Sequence, residues 1–245
     1  MIRKILLLNL LFPALFVFTE SEVENIFSND NKNQLFMNVE VALAEAQSEL
    51  GIIPDWAAKE FRQKADIKHL EHKEVVKENS KVRHGLVARL NVWKRSLNDE
   101  ASEFLHYGAT TVDIMDTVLV LQIDNSLDYL IKDLLEVETH LLKLTKEHLN
   151  TYMAGRTLGQ HALPITFGKK TGTWLAENRR NIERLEHVRS KVQRSGILKG
   201  AVGSYLGLGK QAIETEAIMM KKLGLAEPSK DCLLYTSPSP RDRSL

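Results

Sequence analysis

The stretch DIMDTVLVLQIDNSLDYLIKDLLEVETHLLKLTKEHLN, residues 113–150, decides the fold of this chain. It contains no Gly or Pro, so one uninterrupted helix of about 55 Å is predicted at a rise of about 1.5 Å per residue. Hydrophobic side chains recur along it at steps of three and four residues, as in a heptad seam. They are Val120, Ile123, Leu127, Leu130, Leu134, Val137, Leu141 and Leu144. A helix far longer than the average of about 12 residues cannot bury such a seam alone, so partner helices and a homo-oligomer are predicted.

Shorter helical patterns lie on both sides of this stretch. Apolar residues at helical spacing predict a helix over 29–50, where Gly51 is the stop signal, and Pro54 opens another. A further helix is predicted from His84 to Leu97, and one over 168–195 has an apolar face formed by Trp174, Leu175, Ile182, Leu185, Val188 and Val192. No stretch alternates at period two for long enough to predict a strand. The predicted fold is all-α, with an N-terminal helical domain followed by the long helices of an elongated oligomeric bundle.

Composition and charge argue against several classes of partner. The 33 Lys and Arg residues nearly balance the 32 Asp and Glu residues, giving a formal charge of +1. Nucleic acid is therefore not a predicted partner, and neither is a membrane unless the N-terminal apolar run is a genuine leader. His69 and His72 stand three residues apart but have no third ligand at a compatible spacing, so no metal site is predicted. The only cysteine, Cys232, lies in the atypical C-terminal segment, and no cofactor is predicted.

The two ends of the chain differ from the rest. Met1 to Phe18 carries two basic residues before an apolar run that imitates a signal peptide, and both a spurious upstream extension and a real targeting signal remain open. Residues 232–242, CLLYTSPSPRD, resemble a translated transposase sequencing adaptor, with a disordered Ser/Pro-rich tail as the alternative. The predicted parts are a leader over 1–19, an N-terminal helical domain over 20–112, the incomplete start of a central long-helix domain over 113–231, and an adaptor-derived tail over 232–245.

A polar segment over 103–117, EFLHYGATTVDIMDT, precedes the long helix. Gly108 permits a tight turn, and Thr110 and Thr111 supply hydroxyl groups at a helix N-terminus, where free N–H groups favour a carboxylate or phosphate. Plain N-capping by Thr111 or Asp113 is the alternative. Asp113 and Asp116 are expected to hold the turn.

Two more segments are rich in glycine and polar residues. GRTLGQHALPITFGK, residues 155–169, gathers Arg156, Thr157, Gln160 and His161 within six residues, and Thr166 is a predicted cap for the next helix. LKGAVGSYLGLG, residues 198–209, places glycines around Ser204 and is the weaker signal, since such glycines also serve helix contacts or bends.

His84, after Arg83, is a candidate acid or base, because its ordinary pKa of about 6.5 suits proton transfer near neutrality. The alternative is a surface histidine at the start of a helix.

Over residues 20–231 the three segments resemble the fumarase/aspartase superfamily, most closely its adenylosuccinate lyase and 3-carboxy-cis,cis-muconate cycloisomerase branches. The resemblance implies a homotetramer whose long helices share one core and whose active sites borrow residues from three chains. It implies no metal or organic cofactor. It assigns catalysis to His84 and His106, and binding of a dicarboxylate-bearing small molecule to Thr110, Thr111, Arg156, Thr157, Gln160, His161 and Ser204.

The resemblance also has departures. Leu158 stands where these lyases usually have a proton-donating histidine, Gly85 where an aspartate follows His84, and Phe18 and Thr19 where an Arg-Tyr pair binds phosphate. The family's serine-bearing loop would lie beyond Asp231.

For the full-length parent protein, the expected activity is that of a cytoplasmic adenylosuccinate lyase-like enzyme of purine nucleotide biosynthesis, which releases fumarate from a succinyl-substituted substrate by β-elimination. Residues 1–245 alone are expected to be inactive. A carboxymuconate cycloisomerase-like activity is one alternative. The other is a non-catalytic helical fragment.

Overall fold

The computed structural model describes residues 19–228, so the predicted leader and the predicted adaptor-derived tail both lie outside the described residues. Within that range α-helices dominate, which confirms the all-α class. The helices are α1 (Thr19–Ile26), α2 (Asn29–Glu49), α3 (Asp55–Lys64), α4 (His72–Val82), α5 (Gly85–Lys94), α6 (Asp99–Ser102), α7 (Thr111–Glu147), α8 (Phe167–Val192) and α9 (Ala212–Lys222). Strands β1 (Tyr152–Thr157) and β2 (Gln160–Thr166) and short 3₁₀ turns at Ile67–His69 and Leu206–Leu208 complete the order.

The described residues divide into two compact units. The first unit comprises residues 19–124 and 192–228, and the second unit comprises residues 125–191. Helix α7 has residues in both, and its 37 residues form the single long helix that the sequence predicted. None of the helices in residues 19–228 is long and apolar enough to cross a membrane.

The first unit is built around α2. Ser28 caps this helix by accepting a hydrogen bond from the Asn31 N–H, and Leu50 and Gly51 end it, with Gly51 at φ +69°. Phe36 on α2 packs edge-on against Trp93, which also contacts Phe61, and all three are completely buried. An aromatic cluster therefore anchors α2, α3 and α5 to one core.

In the second unit the C-terminal half of α7 packs against α8. Gly168 allows the closest approach, because a Cβ there would lie 2.8 Å from the backbone carbonyl oxygens of Thr145 and His148. Farther along, the Asn178 side chain donates a hydrogen bond of 2.8 Å to the Leu134 carbonyl oxygen. The close contact at Gly168 and the hydrogen bond from Asn178 therefore fix the packing of α8 against α7.

The expectation that the chain contains no strand was wrong for residues 152–166. Strands β1 and β2 form an antiparallel hairpin closed by Leu158 and Gly159, both at positive φ, +49° and +77°. Two consecutive positive φ angles are typical of the two-residue turn that matches strand twist. The sequence lacks the usual alternation because most side chains of the hairpin are exposed, so backbone pairing rather than a buried face defines it.

The predicted apolar face of α8 is buried only in part. Ile182 is 1% exposed, whereas Trp174 and Val188 are each 46% exposed. Burial along this face is therefore uneven among the described residues.

Candidate functional site

The start of α7 is held by a buried carboxylate. Asp113 is completely buried, and its Oδ2 accepts a hydrogen bond of 3.0 Å from the backbone N–H of Thr110, the residue before the helix. A hydrogen bond from the N-cap N–H to the side chain of the third helical residue is one of the two bonds of a capping box. The prediction that Asp113 holds the turn is confirmed. Asp116 makes no hydrogen bond with the described residues, so it does not share that role, and burial, with the charge of Asp113, raises the pKa of its carboxyl group.

The same carboxylate joins the first and third sequence segments. Asp113 also accepts hydrogen bonds from the backbone N–H groups of Lys199, at 2.8 Å, and Gly200, at 3.1 Å. On the other side of the turn, a Cβ on Gly108 would lie 3.1 Å from the Gly207 carbonyl oxygen. The structure therefore brings Thr110 and Thr111 into one cluster with the segment that carries Ser204.

A buried polar network anchors that third segment. The Lys199 ammonium group contacts both oxygens of Glu216, at 3.0 and 3.2 Å, and the Tyr205 hydroxyl at 2.8 Å. Burial opposes charge on Lys199, but its bonds to Tyr205 and Glu216 outweigh this and raise its pKa. Tyr205 has φ +61°, and Ser204, just before it, is exposed.

His106 sits in a left-handed backbone conformation, φ +64°, just ahead of the threonines. Its Nδ1 lies 2.8 Å from Oε1 of Glu40, a buried residue of α2. Burial alone would lower the pKa of His106, but the hydrogen bond and charge of Glu40 raise it above its ordinary value. Sequence reasoning missed Glu40, although a carboxylate between Val39 and Val41 in an apolar helical run was a signal that could have found it.

His84 has a structural role in the described residues. It is exposed, and its Nδ1 accepts a hydrogen bond of 3.3 Å from the Val87 N–H, which caps α5. This geometry matches the alternative reading of a surface histidine at the start of a helix. Its Nε2 makes no hydrogen bond with the described residues, so a role in proton transfer stays a prediction.

The remaining predicted residues cluster at the tip of the hairpin, in the second unit. Arg156 pairs with His161 and Thr157 with Gln160 across the two strands, and all four are exposed. The Arg156 guanidinium donates a hydrogen bond of 3.3 Å to Nε2 of His161. Four exposed polar side chains thus lie beside one turn. The predicted cap at Thr166 is confirmed, since its hydroxyl accepts a bond of 3.1 Å from the Lys169 N–H.

The cluster in the first unit is suited to bind an anion rather than a metal. Within residues 19–228 no group of three or more His, Cys, Asp or Glu side chains is placed to hold a metal ion. A helix N-terminus, two threonine hydroxyls and a histidine held beside a carboxylate instead supply hydrogen-bond donors, which are groups that bind anions.

Comparison with known proteins places these features in context. The family model described as Lyase matches residues 13–243. N-acetyl-S-(2-succino)cysteine lyase of Dickeya dadantii is 36% identical over 212 residues, which are 86% of this chain and 46% of that protein. Adenylosuccinate lyase of Pyrococcus abyssi is also 36% identical, over 213 residues, which are 87% of this chain and 47% of that protein.

A solved structure shares the fold. The crystal structure of β-carboxy-cis,cis-muconate cycloisomerase from Acinetobacter calcoaceticus matches with a TM-score of 0.79 and 27% identity, covering 89% of this chain and 51% of that chain. The chain spans about half the length of the curated relatives it matches.

Proposed function

Because the chain belongs to the fumarase/aspartase superfamily of lyases, as its three segments predicted, we propose that the protein catalyses a β-elimination that releases fumarate from a succinyl-substituted substrate. A base removes a proton from the carbon next to one substrate carboxylate, and the electron pair forms the fumarate double bond. The bond to the substituent breaks, and a proton donor neutralises the leaving group. This chemistry requires fixed donors for the negative charge that develops on the carboxylate.

The single observation that carries the proposal is the cluster at the start of α7. Asp113 holds the turn and the third segment together through three backbone N–H groups, at 2.8 to 3.1 Å. The turn carries His106, Thr110 and Thr111, which we assign to the substrate carboxylate. A carboxylate there would accept charge-assisted hydrogen bonds and face the positive end of the helix dipole.

The other predicted residues complete the proposed roles. Ser204 lies on the segment that Asp113 ties to this turn, and we assign it to substrate binding. Arg156, Thr157, Gln160 and His161 present donors and acceptors at the hairpin tip, and we assign them to the rest of the substrate. His84 is the proposed proton-transfer group, through its Nε2 atom.

For the leaving group we propose the amine of adenylosuccinate, which would place the protein in purine nucleotide biosynthesis in the cytoplasm. The adenylosuccinate lyase of Pyrococcus abyssi supports this choice, but the lyase of Dickeya dadantii, named for a succinylated cysteine, is equally identical. A sulfur leaving group is therefore the second candidate, and lactonisation of carboxymuconate is the third.

The test supplies the purified full-length protein with adenylosuccinate, N-acetyl-S-(2-succino)cysteine and 3-carboxy-cis,cis-muconate in parallel, and follows fumarate or lactone by ultraviolet absorbance. Fumarate from adenylosuccinate is the expected result. If fumarate forms only from the cysteine conjugate, the proposed elimination stands but the leaving group is sulfur and not an amine. Lactone without fumarate overturns the elimination, and no turnover of any substrate favours the non-catalytic helical hypothesis.

For assembly we propose a homotetramer formed through the long helices. Apolar side chains of α7 in the second unit remain exposed by 41 to 45%, at Leu130, Leu135, Val137 and Leu142. Apolar area of this kind favours burial against further helices. Light scattering should give a tetramer that Leu135→Glu dissociates, whereas Ile213→Glu, at a 70% exposed position on α9, should leave it intact. A monomeric wild-type protein would contradict the assembly.

A further inference from the structure

Glu40 is a buried carboxylate whose charge needs a partner. Its side chain is completely buried on α2, and its Oε1 atom lies 2.8 Å from Nδ1 of His106. Its other oxygen, Oε2, makes no hydrogen bond with any described residue. Burying an ionised carboxylate is strongly unfavourable unless an opposite charge compensates it. His106 is the group placed to supply that charge.

The backbone around His106 is fixed to the same helix by a second bond. Gln47, two turns along α2 from Glu40, donates a hydrogen bond of 2.7 Å to the carbonyl oxygen of Tyr107. His106 itself adopts φ +64°, a conformation that few residues other than glycine adopt without support. Two buried side chains of one helix therefore hold this turn in place.

The orientation of the ring leaves one nitrogen for a ligand. Nδ1 is engaged by Glu40, whereas Nε2 makes no hydrogen bond with the described residues. The His106 side chain is 16% exposed, so the ring is reachable at one edge. Thr110, whose N–H binds Asp113, follows four residues later on the same turn.

The charged groups that face the ring favour its protonated form. Glu40 comes from α2 and Asp113 from the start of α7, and both are negative, whereas Lys94 at the end of α5 is positive. Burial opposes the charge, but the hydrogen bond to Glu40 and the two carboxylate charges raise the pKa of His106 on balance.

We propose that Glu40 is a positioning residue that holds His106 as an imidazolium, with Nδ1–H bonded to Glu40 and Nε2–H offered to a carboxylate of the succinyl substrate. The inference rests on the proposed function and sharpens the role of His106. A ring protonated at both nitrogens cannot remove a proton, so His106 binds and orients the carboxylate while another group acts as the base.

The first test is a titration of His106 by NMR, assigned by comparison with His106→Asn. In the wild-type protein the pKa should lie above its ordinary value of about 6.5. The His106 pKa should fall in Glu40→Gln, because this variant keeps the side-chain shape and the acceptor oxygen but removes the charge. Glu45→Gln removes a charge from the exposed side of the same helix and should leave the titration unchanged. A wild-type pKa at or below the ordinary value overturns the ion pair without any variant.

The second test is fumarate binding by calorimetry at pH 7.5 and pH 5.5. Glu40→Gln should weaken binding about tenfold at pH 7.5, because a charge-assisted hydrogen bond becomes a neutral one. The loss should shrink at the lower pH in proportion to the fraction of Glu40→Gln rings that the titration shows to be protonated there, because burial lowers the His106 pKa once the Glu40 charge is gone. A loss that does not follow this fraction overturns the charge role.

The two ideas can fail separately. A normal His106 titration together with fumarate binding overturns the role of Glu40 and leaves the proposed elimination standing. A raised pKa without fumarate binding by the wild-type protein at either pH overturns the binding role of His106 and counts against the proposed function as well.

Discussion

The two units of the molecule bury their hydrophobic residues to different degrees. In the first unit Phe36, Phe61 and Trp93 are completely buried, and charged groups such as Lys199 and Glu216 are satisfied inside it. In the second unit α7 and the face of α8 keep several large apolar side chains 41 to 46% exposed. The first unit is stabilised by its own core, whereas the second presents a surface suited to other helices. Substitutions of the same kind should therefore have different effects in the two units.

The largest contrast should come from one pair of tryptophans. Trp93→Ala removes a completely buried ring and its hydrogen bond to the Lys64 carbonyl oxygen, so the free energy of unfolding should fall by about 4 kcal/mol. Trp174→Ala removes a half-exposed ring, so in the unassembled chain the loss should stay below about 1 kcal/mol. Urea unfolding followed by circular dichroism measures both. Similar losses would show that the units do not differ as described.

The second contrast is between a buried and an exposed ion pair. Lys199→Met leaves the Glu216 carboxylate buried without its cation, so the free energy of unfolding should fall by about 3 kcal/mol. Arg189→Met breaks a partly exposed pair with Asp128 in the second unit, and its effect should stay below about 1 kcal/mol. Urea unfolding of each variant measures both losses in the free energy of unfolding.

The double variant Lys199→Met/Glu216→Leu is the control for that prediction. It removes the stranded charge and should be more stable than Lys199→Met alone. A double variant that is less stable than the single one would show that shape, not charge, explains the loss.

Two glycines of α8 test the close contact between this helix and the end of α7. Gly168→Ala should lower the free energy of unfolding by about 2 kcal/mol, because its Cβ would clash with the carbonyl oxygens of Thr145, in α7, and His148, just after it. At Gly172 the nearest atom is a Thr145 methyl group at 3.5 Å, so Gly172→Ala should be neutral or stabilise by up to about 1 kcal/mol through helix propensity. Thermal unfolding compares the two variants, and an equal change in stability would contradict the close contact at Gly168.

The smallest effect is a pH-dependent surface contribution. The hydrogen bond from Arg62 lowers the pKa of Glu45, against the opposing effect of burial and with help from Lys222. Because the folded pKa is depressed, this stability is present above the unfolded pKa of about 4.3 and lost as pH falls through the folded value. Glu45→Gln should lower the free energy of unfolding by less than about 1 kcal/mol at pH 7. Urea unfolding at pH 7 and pH 3 should show the difference vanish in acid.

Local sequence predicted the features that depend on local periodicity. The long helix was found because no Gly or Pro interrupts it, and the Thr166 cap and the Asp113 turn were found because capping uses neighbours in the chain. The hairpin was missed because its exposed strands lack an alternating pattern.

Contacts between distant residues could not be predicted in this way. Glu40 binds His106 and Asp113 binds the N–H of Lys199 across 66 and 86 residues, and no local spacing encodes either pairing. An isolated carboxylate in an apolar helical run, such as Glu40, signals that a partner exists. It does not say which residue that partner is.

The hairpin tip has a consequence for how this protein can evolve. Leu158 is fully exposed at the turn, and the backbone rather than a core holds the strands in register. Substitutions among the four polar side chains beside it leave no cavity and strand no buried charge. Natural selection can therefore change what this hairpin contacts with little loss of stability, while the residues around Asp113 remain constrained. Relatives that act on different substrates should therefore differ at this turn more than around Asp113.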